Sequence, residues 1–142
     1  MIPPTVHATA VAIRGHAVLL IGPPGSGKSD LALRLIDRGA VLIADDRVVL
    51  TRAGDDLIAA PPATITGLIE VRGVGLIAVP HVAGVRVALV VDLAARPDRL
   101  PEAMMYPIAD VPVPAVALAA FEASAPLKVE RALTAFGTGV EN

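Results

Sequence analysis

The stretch Ile21-Gly22-Pro23-Pro24-Gly25-Ser26-Gly27-Lys28-Ser29-Asp30 constrains the fold more than any other part of the chain. An apolar run, Ala17 to Ile21, precedes it, and a helical pattern with Leu31, Leu35 and Ile36 on one side follows. Gly22-x-x-x-x-Gly27-Lys28-Ser29 between a strand and a helix is the pattern of a P-loop. Its glycines let backbone N–H groups turn inward around phosphate oxygens, where a Cβ would clash. The pattern directs Lys28 to the β- and γ-phosphates of a nucleotide and the Ser29 hydroxyl to Mg²⁺. The helix start adds the positive end of its dipole to the same anion. The cradle is expected to run through Gly22, Pro23, Pro24, Gly25, Ser26, Gly27, Lys28, Ser29 and Asp30. A nucleoside phosphate is the expected ligand.

The rest of the composition narrows the class. A chain of 142 residues is long enough for one domain with one real core. Hydrophobic residues make up 54% and aromatics 2%, so Val, Leu, Ile and Ala must build that core. A net charge of −2 without a basic run gives no sign of nucleic acid or an anionic membrane as partner. The absence of cysteine excludes disulfides, thiolate catalysis and zinc–thiolate sites. The N-terminal Met1-Ile2-Pro3-Pro4 lacks a signal-peptide pattern, and no apolar stretch reaches the ~18 residues a membrane span needs. A soluble cytoplasmic protein is the expectation.

Taken in order, Thr5 to Ile13 reads as a strand, turned by Arg14-Gly15-His16 into a hairpin with Ala17 to Ile21. A helix from about Ser29 to Arg38 stops at Gly39. Val41-Leu42-Ile43-Ala44 is a short, wholly apolar strand, as a buried parallel strand would be. Val48 to Arg52 and Leu57 to Ala60 suggest a second hairpin. Ile65 to Ala78 alternates apolar and polar residues, and Val85 to Asp92 is the clearest central strand. Arg96 to Ala109 reads as a surface loop with one helical turn. Val111 to Pro114 is extended, Ala115 to Leu118 a last short strand, and Ser124 to Phe136 a terminal helix with Lys128 and Arg131 outward. The fold class expected is α/β: a P-loop (Walker A) kinase domain spanning 1–142, with a strand-rich mixed sheet and few helices.

Phosphoryl transfer needs a phosphate cradle, a metal and a group that orients the nucleophile. An aspartate at the end of a neighbouring strand commonly completes the metal shell. Asp45-Asp46 and Asp92 both follow apolar strands, and spacing does not choose between them. The adjacent pair offers more chemistry, because one carboxylate could serve Mg²⁺ while the other accepts a hydroxyl proton. His16 and His81 read as solvated, Glu70 as an exposed strand residue and Arg72 as its cross-strand partner.

Several of these segments together resemble the HPr kinase/phosphorylase family. They are Val6-His7, Gly22 to Asp30, Leu31-Ala32-Leu33 through Arg38-Gly39, Leu42 to Val48, Ile69 to Ile77 and Asp98-Arg99-Leu100, in that order across residues 5 to 115. The resemblance implies an ATP- and Mg²⁺-dependent kinase that phosphorylates a serine of HPr, the phosphocarrier of the sugar phosphotransferase system. It implies His7, Lys28, Asp45 and Arg99 as catalytic residues, with Asp45 the proton acceptor. Ser29 and Glu70 would be Mg²⁺ ligands, supported by Asp46. It also implies a homo-oligomer, a hexamer in the family.

This chain departs from the family at Pro23-Pro24, at Asp30 in place of glutamate, and in beginning directly at the kinase domain. Ala115 to Glu122 lacks the Lys, Arg and Gly of the segment that the family uses to remove phosphate. Kinase activity is therefore expected and phosphorylase activity is in question. Two other functions fit the same loop: a nucleotide-binding regulatory module without transfer, and a small-molecule P-loop kinase.

Overall fold

The computed structural model describes residues 5–140. Strand β1 (Thr5–Ile13) and strand β2 (His16–Ile21) form the expected hairpin, in register from Ala8↔Ile21 to Ile13↔His16. Arg14 and Gly15 close it, both with positive φ (51° and 79°). That is the backbone of a two-residue hairpin turn whose twist matches the strands. Helix α1 (Lys28–Asp37) follows, then β3 (Val41–Ala44), β4 (Arg47–Ala53) and β5 (Asp56–Ala60). β6 (Leu68–Val71) and β7 (Gly75–Ala78) make a separate two-stranded hairpin. β8 (Val85–Asp92), β9 (Met104–Ile108), β10 (Val111–Ala117) and helix α2 (Ala125–Phe136) complete the described chain.

The sheet is mixed. β8 runs parallel to β2 on one side and to β10 on the other. β1 pairs along one edge with β2, and along the other with β4 through Thr5–His7 and with β3 through Ala10–Ala12. β4 pairs with β5, and β5 returns to β8 through Ile58 and Ala59. The strands β2-β1-β4-β5-β8 therefore close on themselves, which removes most of the edge that a small sheet would otherwise expose.

Two apolar cores follow from strand alternation. Val11, Val18, Leu20, Leu89 and Val91 face the helices and pack with Leu31 and Leu35 of α1 and with Val129 and Leu133 of α2. Ala10, Ala12, Leu19, Val87 and Val90 face the other way, against Val48, Leu50 and Leu57. The register of β8 against β2 slips at Ala17/Val18, where Val87 and Leu89 become successive partners. A bulge at Ala88 thus lets Val87 and Leu89 serve opposite cores. Leu89 is fully buried. Leu89→Ala is expected to cost about 2–5 kcal/mol, read as a lower urea midpoint with an unchanged slope.

Three expectations need correction. β3, read as a buried parallel strand, pairs antiparallel with β1. The segment placed in a surface loop with one helical turn contains no helix, and Met104–Ile108 is a strand paired antiparallel to β10. β10 is also one continuous strand from Val111, where an extended piece and a short strand were expected. Pro112 and Pro114 are alternate residues, so their missing N–H groups lie on one side of β10. That strand meets β8 only from Ala115 onward, so both prolines fall where no ladder bond is required. No helix among the described residues is long and apolar enough to cross a membrane.

Candidate active site

β2 and β8 both end at one edge of the sheet, and the glycine loop leaves β2 there. In sheets with parallel strands the carboxyl ends are where ligands gather. Gly22, Gly25 and Gly27 all have positive φ (155°, 85° and 96°). A Cβ on Gly22 would lie 2.5 Å from Ser26 Oγ, and one on Gly27 would lie 2.9 Å from Ala120 Cβ and 3.0 Å from Phe121. Both positions require glycine. Gly27 caps α1 without any side-chain bond, which leaves the first helical N–H groups free to meet an anion.

Lys28 is 7% exposed and its Nζ donates to Gly22 O at 2.7 Å and Pro23 O at 3.1 Å. The ammonium is thereby held at the mouth of the loop. The cleft beside it encloses about 450 Å³. Pro24, Gly25, Gly27, Lys28, Ser29 and Asp30 form one wall, while Asp46 and Glu70 stand on another. Gly22, Pro23 and Ser26 do not line the cleft. Asp30 pairs with Arg34 one turn along α1, at 2.9 Å.

The adjacent aspartates are separated by the backbone between them. β3 ends at Ala44 and β4 begins at Arg47, and Asp46 takes a left-handed conformation (φ 67°) in the two-residue link. Asp45 turns inward. Its Oδ1 accepts from Ser29 Oγ at 2.6 Å and Thr9 Oγ1 at 2.9 Å, and its Oδ2 accepts from the Glu70 N–H at 2.9 Å. Asp46 turns outward into the cleft, where its Oδ1 lies 2.6 Å from His7 Nε2. His7 and Thr9 are two apart on β1 and so share a face. One strand therefore holds both carboxylates.

Ser29, Asp46 and Glu70 bring one hydroxyl and two carboxylates to the same cleft. No group of three or more acidic or imidazole ligands forms among the described residues. That donor set fits Mg²⁺, which commonly takes one or two carboxylates and completes its octahedron with phosphate and water.

Arg99 is exposed in the segment after β8 and neither lines the cleft nor makes a hydrogen bond or ion pair among the described residues. Asp92 Oδ1 accepts from the N–H groups of Ala94 at 2.9 Å and Ala95 at 3.1 Å, so it caps the turn after β8. Arg72 lies in the β6–β7 turn and lines the cleft, and the register pairs Glu70 with Leu76. It is therefore not a cross-strand partner of Glu70. Thr9 and Phe121 are two further site residues that sequence reasoning missed. Thr9 carried a faint signal, as a polar residue in an otherwise apolar run two positions from His7. Phe121 is brought to the loop by Arg34, whose guanidinium donates to the carbonyls of Ala120 and Glu122.

Fold and cleft together define a strand-rich mixed α/β protein with its site at the carboxyl ends of parallel strands. A family model described as HPr serine kinase C-terminal domain matches residues 3–120. The chain belongs to that family. HPr kinase/phosphorylase of Burkholderia lata is 37% identical, over 80% of this chain and 39% of its own length. That of Mycoplasmopsis pulmonis is 42% identical, over 59% of this chain and 27% of its own. The chain thus spans less than half the length of these relatives. The HPr(Ser) kinase/phosphatase structure from Coxiella burnetii superposes with a TM-score of 0.81 at 28% identity, covering 93% of this chain and 89% of that one.

Proposed function

We propose that this protein is a Mg²⁺- and ATP-dependent protein-serine kinase acting on HPr or an HPr-like phosphocarrier. The observation that carries the reading is the division of the acidic pair beside a glycine loop: Asp45 on Ser29, and Asp46, bonded to His7, lining the open cleft. Family membership supports the choice of substrate class.

The loop amides, the α1 N-terminus and Lys28 would hold the triphosphate. Ser29 and Glu70 would hold Mg²⁺, which would neutralise charge on the phosphates. The geometry supports a different proton acceptor from the one the family resemblance suggested. Asp45 has both oxygens engaged and positions Ser29, whereas Asp46 is exposed to an incoming serine. The Asp46 carboxylate would take the serine proton, with His7 fixing its orientation. A serine hydroxyl is a poor nucleophile until that proton has a destination. Arg72, which lines the cleft, would meet charge on the transferred group, where the resemblance had suggested Arg99 as the catalytic arginine.

Incubation with Mg·ATP and HPr from the same source should add one phosphoryl group to an HPr serine, read by intact-mass and phosphosite mass spectrometry. Nucleotide binding without transfer would refute the kinase and favour a regulatory module.

A further inference from the structure

The parallel strands β2, β8 and β10 end in one row, at Ile21, Asp92 and Ala117. Two loops therefore rise from the same edge. The one after β2 is the glycine loop, and the one after β10 carries Phe121. Neighbouring strands lie about 4.8 Å apart, so the second loop must cross the end of β8 to reach the first. Leu118 N–H donates to Asp92 O at 3.2 Å as the crossing begins. Gly27 is where it arrives: a Cβ there would lie 3.0 Å from Phe121 Cζ and 3.1 Å from Cε1.

The chain has two phenylalanines, and Phe136 packs against the core that faces the helices. Phe121 joins neither core and is 71% exposed. Its backbone is nonetheless tethered. The Arg34 guanidinium donates to Glu122 O at 3.1 Å and to Ala120 O, the carbonyls on either side of Phe121. The same guanidinium pairs with Asp30 of α1 at 2.9 Å, and Lys128 Nζ donates to the Glu122 carboxylate at 3.0 Å. An aromatic ring carried on a fixed backbone gives up little freedom when it meets a ligand.

The lining of the cleft divides along the same line. Lys28, Ser29, Asp46, Glu70 and Arg72 have roles toward phosphate, metal and serine in the reaction proposed above. Leu33, Val71 and Phe121 are the larger apolar side chains of the cleft and have none. Leu33 and Val71 are partly buried against the core. Of the three, Phe121 alone has a π-face.

On the reading of this cleft as the nucleotide site, we infer that Phe121 is the platform on which the base of the nucleotide stacks. The triphosphate occupies the glycine loop, and the ring beside Gly27 receives the base at the flank of the cradle. Every base has a π-face, so such a platform adds affinity through ring area and reads no base edge. Arg34 is the positioning residue that fixes the loop carrying the ring.

The test is calorimetric titration of the parent protein and Phe121→Ala with ATP, GTP and inorganic tripolyphosphate, each with Mg²⁺. Tripolyphosphate engages the cradle but has no base. Phe121→Ala is expected to bind ATP and GTP about tenfold more weakly and tripolyphosphate as the parent does, with Phe121→Tyr restoring both nucleotides. The chain has no tryptophan, so Phe121→Trp adds an indole that reports on its own position. ATP should quench its emission and tripolyphosphate should leave it unchanged. Equal ATP affinity in parent and Phe121→Ala would overturn the platform and leave the nucleotide reading of the cleft standing. An equal loss for ATP and tripolyphosphate would also overturn it, because the ring would then only shape the glycine loop. A parent protein that binds neither probe would overturn both readings.

Discussion

Asp46→Asn is expected to lower phosphoryl transfer to the carrier serine by about 10²–10⁴-fold, the usual worth of a positioned general base. Nucleotide affinity should stay close to that of the parent protein. Asparagine fills the same space and can keep a hydrogen bond to His7, which lies 2.6 Å from the carboxylate, but it cannot accept the serine proton. His7→Ala should give a smaller loss, since it frees the carboxylate without removing it. The companion variant, Asp45→Asn, should behave differently. Asp45 accepts from two hydroxyls and one backbone N–H. An amide must turn its NH₂ toward at least one of those donors, and Ser29 loses its fixed position. The expected signature is a higher Mg²⁺ requirement and weaker Mg·ATP binding, alongside slower transfer. Single-turnover rates and calorimetric affinities at two Mg²⁺ concentrations separate the two residues. If Asp45→Asn abolishes transfer with affinity intact while Asp46→Asn leaves transfer unchanged, the roles are the reverse of those proposed.

The adjacency of the two aspartates explains why the sequence pointed to the pair without separating its members. Two neighbouring carboxylates after an apolar strand are interchangeable on paper. What distinguishes them is a single backbone angle, the positive φ of Asp46, and the face of a strand whose Thr9 lies 36 residues before Asp45. The glycine loop was legible because its constraints are local: a strand, a turn with three positive-φ glycines and a helix start occur in one continuous stretch. Phe121 and Arg72 reach the cleft through long-range packing, which no spacing rule encodes.

Strand β9 was missed for a related reason. Its residues are exposed along almost its whole length, so it carries no alternation of buried and exposed positions. It also contains Pro107, and it turns into β10 through Ala109 and Asp110, both left-handed (φ 49° and 64°) without a glycine to announce them. Central strands such as β8 advertise themselves through burial. An edge strand is held by its backbone bonds to one neighbour, and those leave little mark on composition.

Lys28→Ala carries the other large expectation, and it separates binding from folding. Charge-assisted bonds to phosphate are among the strong ones, so removing the ammonium should weaken nucleotide binding by about 10²–10³-fold, or roughly 3–4 kcal/mol. The protein without nucleotide should suffer as well. Lys28 is almost wholly buried, and it donates to both Gly22 O and Pro23 O. Its loss leaves those carbonyls short of a donor, at a cost of about 1–3 kcal/mol when no water replaces it. Lys28→Met should recover part of the stability by refilling the apolar path of the side chain, yet none of the affinity. Thermal unfolding with and without Mg·ATP reads both effects together. The parent should gain stability on adding nucleotide and both variants should gain almost none. Equal nucleotide-induced shifts in parent and variants would remove Lys28 from the phosphate site and, with it, the assignment of the glycine loop as the nucleotide cradle.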